Sequence, residues 1–544
     1  MRRIGFKNFR KFENFPPIDI SPITIFVGEN NAGKSTVVKG ILAFSDFINS
    51  RNNTEIDVMY DDVRYGTRAE VIEKSKQVLK KIRFYFNTSY LAHIGTFKRA
   101  LYNKAVEPII SFYVDFGDSI VSVDVKGNPK DEESVSGIVS KIKINNEVFK
   151  ISMEFNLLED RATITFNPGK NDNTTLQDSN SIVHRIKNYL GSFSHPITIS
   201  APISQNWYYY RGDLINTLVS SLEESLDASI PVEEDISEKE SDNSEINNPR
   251  HPIPIQGLGR EEQLFLKCFR DIVMPMGMSP HHFGMHLSLP LLRGFRSPAY
   301  KLMDIEYLYA HAVTQTVLYS AKDTNDYLSR TIHEFASEKY SQARHEFIIN
   351  WMKEFRVGVN YAIRSVGGEA HLVYIENTDG ERVNLADKGM GSIQLMVLLF
   401  RLAIFIPPHG KRSIRTNRKF NYGKVIIIEE PEQNLHPMLQ SKLADLFYEL
   451  YTRFGFRFII ETHSEYLVRR SQVIVGSNKY SSQEELNEHN PFKVYYFPSD
   501  GVPYDMVYTP TEMFENKFGE GFINEAGKLH MELLKNAQKK DKNV

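Results

Sequence analysis

The sequence predicts an α/β protein with a buried, largely parallel sheet, antiparallel β hairpins in a first lobe and an inserted, mainly helical module. Three observations predict it. The apolar run ITIFV enters GENNAGKST (28–36), and STVVKGILAFSDFI behind it has apolar residues at helical spacing, the strand–loop–helix context of a phosphate loop. Two more apolar runs, KVIIIEE (424–430) and FRFIIETHS (456–464), have the length of buried strands and end in polar residues, where open α/β sheets hold ligands. Residues 108–125 and 141–166 alternate every second residue around turn signals, as antiparallel hairpins do.

Taken in order, RRIGFKNFR reads as a short strand, ENFPP as a turn, and ITIFV as the strand entering the glycine loop. ITISAPIS (197–204) is a strand leading out of the first lobe, which spans 1–205. The acidic stretch 223–252 offers little to bury and reads as a flexible excursion. Helical patterns follow to about residue 365, including EEQLFLKCFRDIVM and SQARHEFIINWMKEFRVGVNYAIRSV, so that 206–369 reads as an insertion. HLVYIENTDGERVNL (371–385) is a hairpin around NTDG. DKGMGSIQLMVLLFRLAIF, the acidic strand, a helix at MLQSKLADLFYELYTRF and the strand FRFIIETHS complete a second lobe over 370–475, with a C-terminal extension over 476–544 that ends in a helix.

Composition bounds the function. Lys+Arg 65 against Asp+Glu 68 gives a net charge of -3, so any nucleic-acid surface must be a local patch. The single cysteine, Cys268, excludes an intramolecular disulfide and fits a reducing cytoplasm; in FLKCFR it reads as a core residue. MRRIGFKNFRKF is no signal peptide, and no apolar stretch approaches the ~20 residues of a membrane span.

The motifs carry the chemistry. Gly28, Gly33, Lys34 and Ser35 match G-x-x-x-x-G-K-[ST], with Asn30 and Asn31 inside the loop and Thr36 after it. The glycines let backbone N–H groups turn toward phosphate oxygens, Lys34 brings charge to the β/γ-phosphates, and the Ser35 hydroxyl can coordinate Mg²⁺. Glu429 and Glu430 end the acidic strand, where one carboxylate can support Mg²⁺ and the next can polarise an attacking water. Glu461, Thr462, His463 and Ser464 reach the same edge from the following strand, placing His463 to sense the γ-phosphate. Gly389, Gly391 and Ser392 open a helix whose amides and dipole suit a second phosphate contact.

The order GENNAGKST, DKGMGSIQ, IIIEEPEQNLHP, IIETHS resembles the ABC-type ATPases of the RecF/SMC/OLD group over roughly 1–205 and 370–470. The resemblance implies an ATP- and Mg²⁺-dependent enzyme in which the signature loop of one subunit closes over nucleotide held by the phosphate loop of another. It assigns Mg²⁺ support to Glu429, catalysis to Glu430, the switch to His463, and the signature to Gly389, Gly391, Ser392 and Gln394. Glu429 stands where many relatives have Asp, so slow hydrolysis is expected; the signature wording also departs from the usual one, and Gln205 is the candidate for the Mg²⁺-sensing glutamine.

The residues after His463 show no Asp-x-Asp metal pair of the kind OLD-type nucleases carry, and the insertion lacks the sustained heptads of SMC arms. The remaining layout is similar to PtuA, the ATPase family of Septu anti-phage systems, also found as a retron effector. That resemblance implies a cytoplasmic homo-oligomer that regulates an HNH endonuclease (PtuB-like), in the retron case beside a reverse transcriptase and its DNA–RNA hybrid. The alternatives are a RecF-like repair ATPase that binds DNA directly and an OLD-like nuclease with a site in 206–369. Three patches stay open: a basic stretch at 409–424 able to grip nucleic-acid phosphates or to be solvated, NWYYYR (206–211) for base stacking or interface packing, and HHFGMH (281–286) as a weak metal candidate.

Overall fold

In a computed structural model, residues 2–49, 80–87, 93–115, 117, 119–146, 151–167, 197–202, 305–309, 319–320, 327–368, 370–408, 425–478, 480–510, 513–519, 522 and 525–541 are described, with scattered positions between 69 and 77. In chain order the elements are β1 (Arg3–Phe9), β2 (Phe12–Asp19), β3 (Ile23–Gly28), α1 (Lys34–Asn49), β4 (Arg83–Tyr85), α2 (Phe97–Ala100), β5 (Ile109–Asp115), β6 (Ser119–Lys126), β7 (Ser136–Asn146), β8 (Ile151–Asn156), β9 (Arg161–Phe166) and β10 (Ile197–Pro202). Then follow β11 (Ile305–Tyr309), β12 (Tyr319–Ser320), α3 (Tyr327–Ser337), α4 (Gln342–Glu354), β13 (Asn360–Val366), β14 (Ala370–Glu376), β15 (Arg382–Asn384) and α5 (Met390–Phe405). The last are β16 (Val425–Glu429), α6 (Pro437–Phe454), β17 (Arg457–Glu461), α7 (Glu465–Ser477), α8 (Gln483–His489), β18 (Phe492–Phe497), β19 (Tyr504–Met506) and α9 (Glu525–Asp541). They form two compact units, one from Arg3–Pro17 and Asp46–Tyr300, the other from Ile18–Ser45 and Lys301–Val544.

The first unit is built on an antiparallel sheet in the order β10-β9-β8-β7-β6-β5-β1-β2, with β4 on β7. The two alternating stretches become β5–β6 and β7–β8–β9 as expected, and period-2 burial puts Ile110, Phe112 and Val114 on one face of β5. Phe84 stacks on Phe112 at 4.6 Å and Phe6 meets Phe112 edge-on at 5.7 Å. The expected turn at ENFPP is corrected: those residues lie within β2, and the chain reverses earlier, where Asn8 and Arg10 take positive φ. The prolines are tolerated because β2 closes the sheet's edge, and Phe12, Phe15 and Ile18 are buried there.

The second unit carries the sheet β11-β16-β17-β3-β18-β19, parallel from β11 to β18 and antiparallel at β18–β19. ITIFVG is buried at every position and VIII and FII are buried throughout, as strands covered on both faces must be. Helix α5, buried from Ile393 to Ala403, and α6, through Leu443, Leu446, Phe447 and Leu450, join the core over that sheet. Each such side chain contributes ~1.5–3 kcal/mol on burial. A smaller sheet, β12-β14-β13 with β15 on β14, contains the expected hairpin around NTDG.

Three readings of the sequence change here. SQARHEFIINWMKE is helical as α4, but the helix does not run on to 365. Arg356 takes φ +56, and Gly358 passes so close to β14 that a Cβ would sit 2.5 Å from Ile375 Cγ2; Asn360–Val366 then pairs as β13. Within the stretch read as an insertion, Ile305–Tyr309 pairs in parallel with β16 and so belongs to the main sheet. Within the C-terminal extension, β18 lies directly beside β3. Cys268, Gln205, the acidic stretch 223–252, NWYYYR, HHFGMH and the basic stretch 409–424 lie outside the described residues. Among the described residues, no helix is long and apolar enough to cross a membrane.

Candidate nucleotide site

The sheet order brings the carboxyl ends of three strands together. β3 lies next to β17 and β17 next to β16, in a register that pairs Glu461 with both Glu429 and Phe26. Gly28 ends β3 and opens the phosphate loop with φ +134. A Cβ there would sit 2.1 Å from the Phe497 carbonyl oxygen, so β18 and the loop approach each other at a distance that only glycine permits. Asn31 (φ +59) and Gly33 (φ +108) complete the turn, and the Thr36 N–H donates to Gly33 O at 3.0 Å as α1 starts. Asn30 and Asn31 are exposed.

Lys34 is buried, and its Nζ donates to Gly28 O (3.1 Å) and Glu29 O (2.8 Å) inside its own loop. Burial pulls its ammonium below the usual lysine value, opposed by Glu461, Glu430, Glu432 and Glu29. Ser35 Oγ donates to Glu461 Oε1 at 2.8 Å. Burial first, and then the neighbouring Glu429, push the Glu461 carboxyl up to about 7, against the Ser35 bond and Lys34. Its Oε2 is buried with no hydrogen-bond partner, an arrangement that costs about 1–3 kcal/mol unless a cation meets it. Ser35, Glu429 and Glu461 therefore make a hard oxygen donor set of the kind Mg²⁺ takes together with substrate phosphates. Among the described residues no cluster of three or more His, Cys, Asp or Glu is arranged to hold a metal.

Glu430 leaves the strand in the left-handed region (φ +48), its N–H donating to Glu461 O at 2.7 Å. Strained backbone of this kind, costing about 1–3 kcal/mol, persists where surrounding bonds enforce it. Gln433 Nε2 donates to Glu430 Oε2, and Glu430 Oε1 lies 3.7 Å from His463 Nε2. Both side chains keep an exposed part, 31% for Glu430 and 38% for His463, so substrate can reach them. Burial and Lys34 lower the His463 value while Glu430 raises it.

The residues expected to form the signature lie at the start of α5. Gly389 caps α5 and is exposed, Ser392 is half-buried, and the Ser392 N–H donates back to Gly389 O at 2.9 Å. Gln394 is buried: its Nε2 donates to Pro431 O (3.3 Å) and its Oε1 accepts from Asn434 Nδ2 (3.3 Å). A Cβ on Gly391 would sit 2.5 Å from Asn434 O, so the start of α5 packs against the loop after the acidic strand. Thus Lys34, Ser35, Glu429, Glu430 and His463 converge, while Gln394 serves that loop from within the same chain. Sequence reading passed over Glu461 as a metal-side carboxylate and missed Glu432. VIIIE and RFIIE both end a five-residue strand in glutamate, a signal that would have found Glu461. Glu432 had none, because its partner is a main-chain N–H 31 residues away.

Comparison with known proteins places these elements. An AAA domain model matches residues 3–250 and an AAA ATPase domain model matches residues 292–468. No curated protein matches. Among solved structures, the SMC head domain from Thermotoga maritima is 10% identical, covering 94% of this chain and 100% of that chain at a TM-score of 0.29. The Smc head domain with an extended coiled coil bound to the C-terminal domain of ScpA, derived from Pyrococcus furiosus, is 12% identical, covering 93% and 95% at 0.29. The chain is thus similar to AAA-type ATPase domains over these two stretches, one match holding the phosphate loop and the other holding Gly389 through His463.

Proposed function

We propose that this chain is an ABC-type ATPase of the RecF/SMC group that binds ATP with Mg²⁺, dimerises through the nucleotide and regulates a partner nuclease in anti-phage defence, in the manner of Septu or retron effectors. The observation that carries the ATPase reading is the convergence of Lys34, Ser35, Glu429, Glu430, Glu461 and His463 on one sheet edge. Lys34 would leave its loop carbonyls for the β/γ-phosphates, and the helix-opening amides behind it would face phosphate oxygens. Mg²⁺, held by Ser35, Glu429 and Glu461, would supply neutralisation of phosphate charge. Glu430 accepts the proton of the attacking water, and His463 beside it donates toward the γ-phosphate.

The test is a pair of substitutions. Glu430→Gln is expected to keep ATP affinity while turnover falls by about 10²–10⁴-fold, because water activation goes and the cradle stays. Lys34→Ala is expected to weaken ATP binding by about 10- to 100-fold, the worth of a hydrogen bond to a charged group. Glu430→Gln that turns over ATP like the wild type refutes the assignment. For the partner, a tagged chain should co-purify an HNH endonuclease from its native host. A chain that purifies alone and restricts phage fully overturns that part, and tight, salt-sensitive DNA binding by the isolated chain would point to a RecF-like role instead.

A further inference from the structure

Glu432 is a carboxylate at the centre of the site for which the chemistry above has no use. It is 7% exposed, its Oε1 accepts the main-chain N–H of His463 at 2.7 Å, and its Oε2 is buried with no hydrogen-bond partner. Burial drives its carboxyl upward against the bonds from His463 and Thr462. An acid so costly to bury calls for a local reason.

The three N–H groups after β17 supply it. The Thr462 N–H donates to Phe26 O at 3.0 Å and the Ser464 N–H to Thr462 Oγ1 at 3.0 Å, whereas the His463 N–H is held by Glu432. The loop carrying Glu432 is itself clamped from the other side by Gln394 on Pro431 and Asn434, and by the close approach of Gly391. One short loop therefore ties the start of α5 to the backbone of the switch histidine.

We propose that Glu432 is a positioning residue for ATP turnover: its carboxylate oxygen fixes the main chain at His463 and so sets the ring opposite Glu430. The proposal rests on the ATPase reading for its kinetic consequence, but the anchor itself is a property of the folded chain. Glu430 is held by its own bond to Glu461 O, so loss of the Glu432 anchor moves the histidine relative to the glutamate rather than both together. A displacement of about 1 Å at such a pair costs on the order of 10²-fold in rate.

The experiment uses the full-length chain with Glu432→Ala and Glu432→Gln, the second retaining an oxygen that can accept the N–H. In Glu432→Ala, kcat is expected to fall about ten- to hundredfold with the KM for ATP within about threefold, and Glu432→Gln to stay within about threefold of wild type in both. Hydrogen exchange at the peptide containing His463 should quicken in Glu432→Ala and not in Glu432→Gln, with β5 and β6 unchanged. Wild-type kcat in Glu432→Ala, a change in KM alone, faster exchange spread over the whole chain, or a Glu432→Gln as slow as the alanine variant with His463 still protected would each overturn the proposal. Wild-type protein with no turnover above the Lys34→Ala background refutes the ATPase reading instead, while the exchange comparison still decides the anchor.

Discussion

At the scale of single residues, the site is a cluster of acids held close by burial. Glu429, Glu461 and Glu432 crowd one edge, and Lys34, a cation beside them, is buried with its own loop carbonyls as partners. On the proposed reading a bound Mg²⁺ would relieve that crowding, so calorimetric titration of ATP should give tighter binding with Mg²⁺ than without it. A histidine pair lies elsewhere in the same unit, half-buried His333 against buried His371: His333 Nδ1 is 3.1 Å from His371 Nε2, and Ser365 Oγ is 3.2 Å from His371 Nδ1. Burial and then His333 lower the His371 value. For a histidine lowered in the folded state, the unfolded chain binds the proton first as pH falls through about 6.5, so stability is lost below that pH and not above it. Thermal unfolding of His371→Gln should therefore fall less between pH 7.5 and 5.5 than that of the wild type; equal slopes would remove the pair from the pH response.

At the scale of elements, β18 decides the geometry of the phosphate loop. It pairs in parallel along β3 from Ile23 to Gly28, and Phe497 O stands where a Gly28 side chain would be. Gly28→Ala meets both this backbone clash and φ +134, so it is expected to lower the unfolding midpoint by several degrees and to weaken ATP binding, since strained positions cost about 1–3 kcal/mol and this one cannot relax without moving the loop. Calorimetry with and without ATP reads both effects. The sequence reading had no route to this pairing. FKVYYF is an ordinary short apolar run, and its place beside ITIFV depends on the fold bringing together segments almost a whole chain apart. Helix α4 teaches the converse. Its apolar spacing marked a helix correctly, but its end was set by Arg356 and Gly358, a local reversal that period counting runs past.

At the scale of the whole molecule, the proposed dimer would leave the exposed Gly389 and half-buried Ser392 as the part of the signature available to a second subunit, Gln394 being engaged inside the chain. Ser392→Arg is expected to leave ATP binding to the monomer within about threefold of wild type while blocking nucleotide-dependent dimerisation of the Glu430→Gln background, a bulky cation being unable to share a closed interface with the phosphate loop of another copy. Light scattering with ATP distinguishes the two states. An ATP-dependent dimer that survives Ser392→Arg would place the interface elsewhere.

The sequence by itself marked where the proposed chemistry sits: GENNAGKST after a strand, two acids after VIII and a histidine soon after FII stand at strand ends, where phosphate binding and water activation need such groups. It also determined the hairpins of the first unit, through period-2 burial. Only the tertiary structure decided which strands are neighbours, and hence that Glu461 joins Glu429, that Phe497 shapes the loop at Gly28, and that Glu432 holds His463. Strand order and main-chain hydrogen bonds to distant residues leave no periodic trace, since each depends on a single non-local pairing rather than on a repeated local pattern.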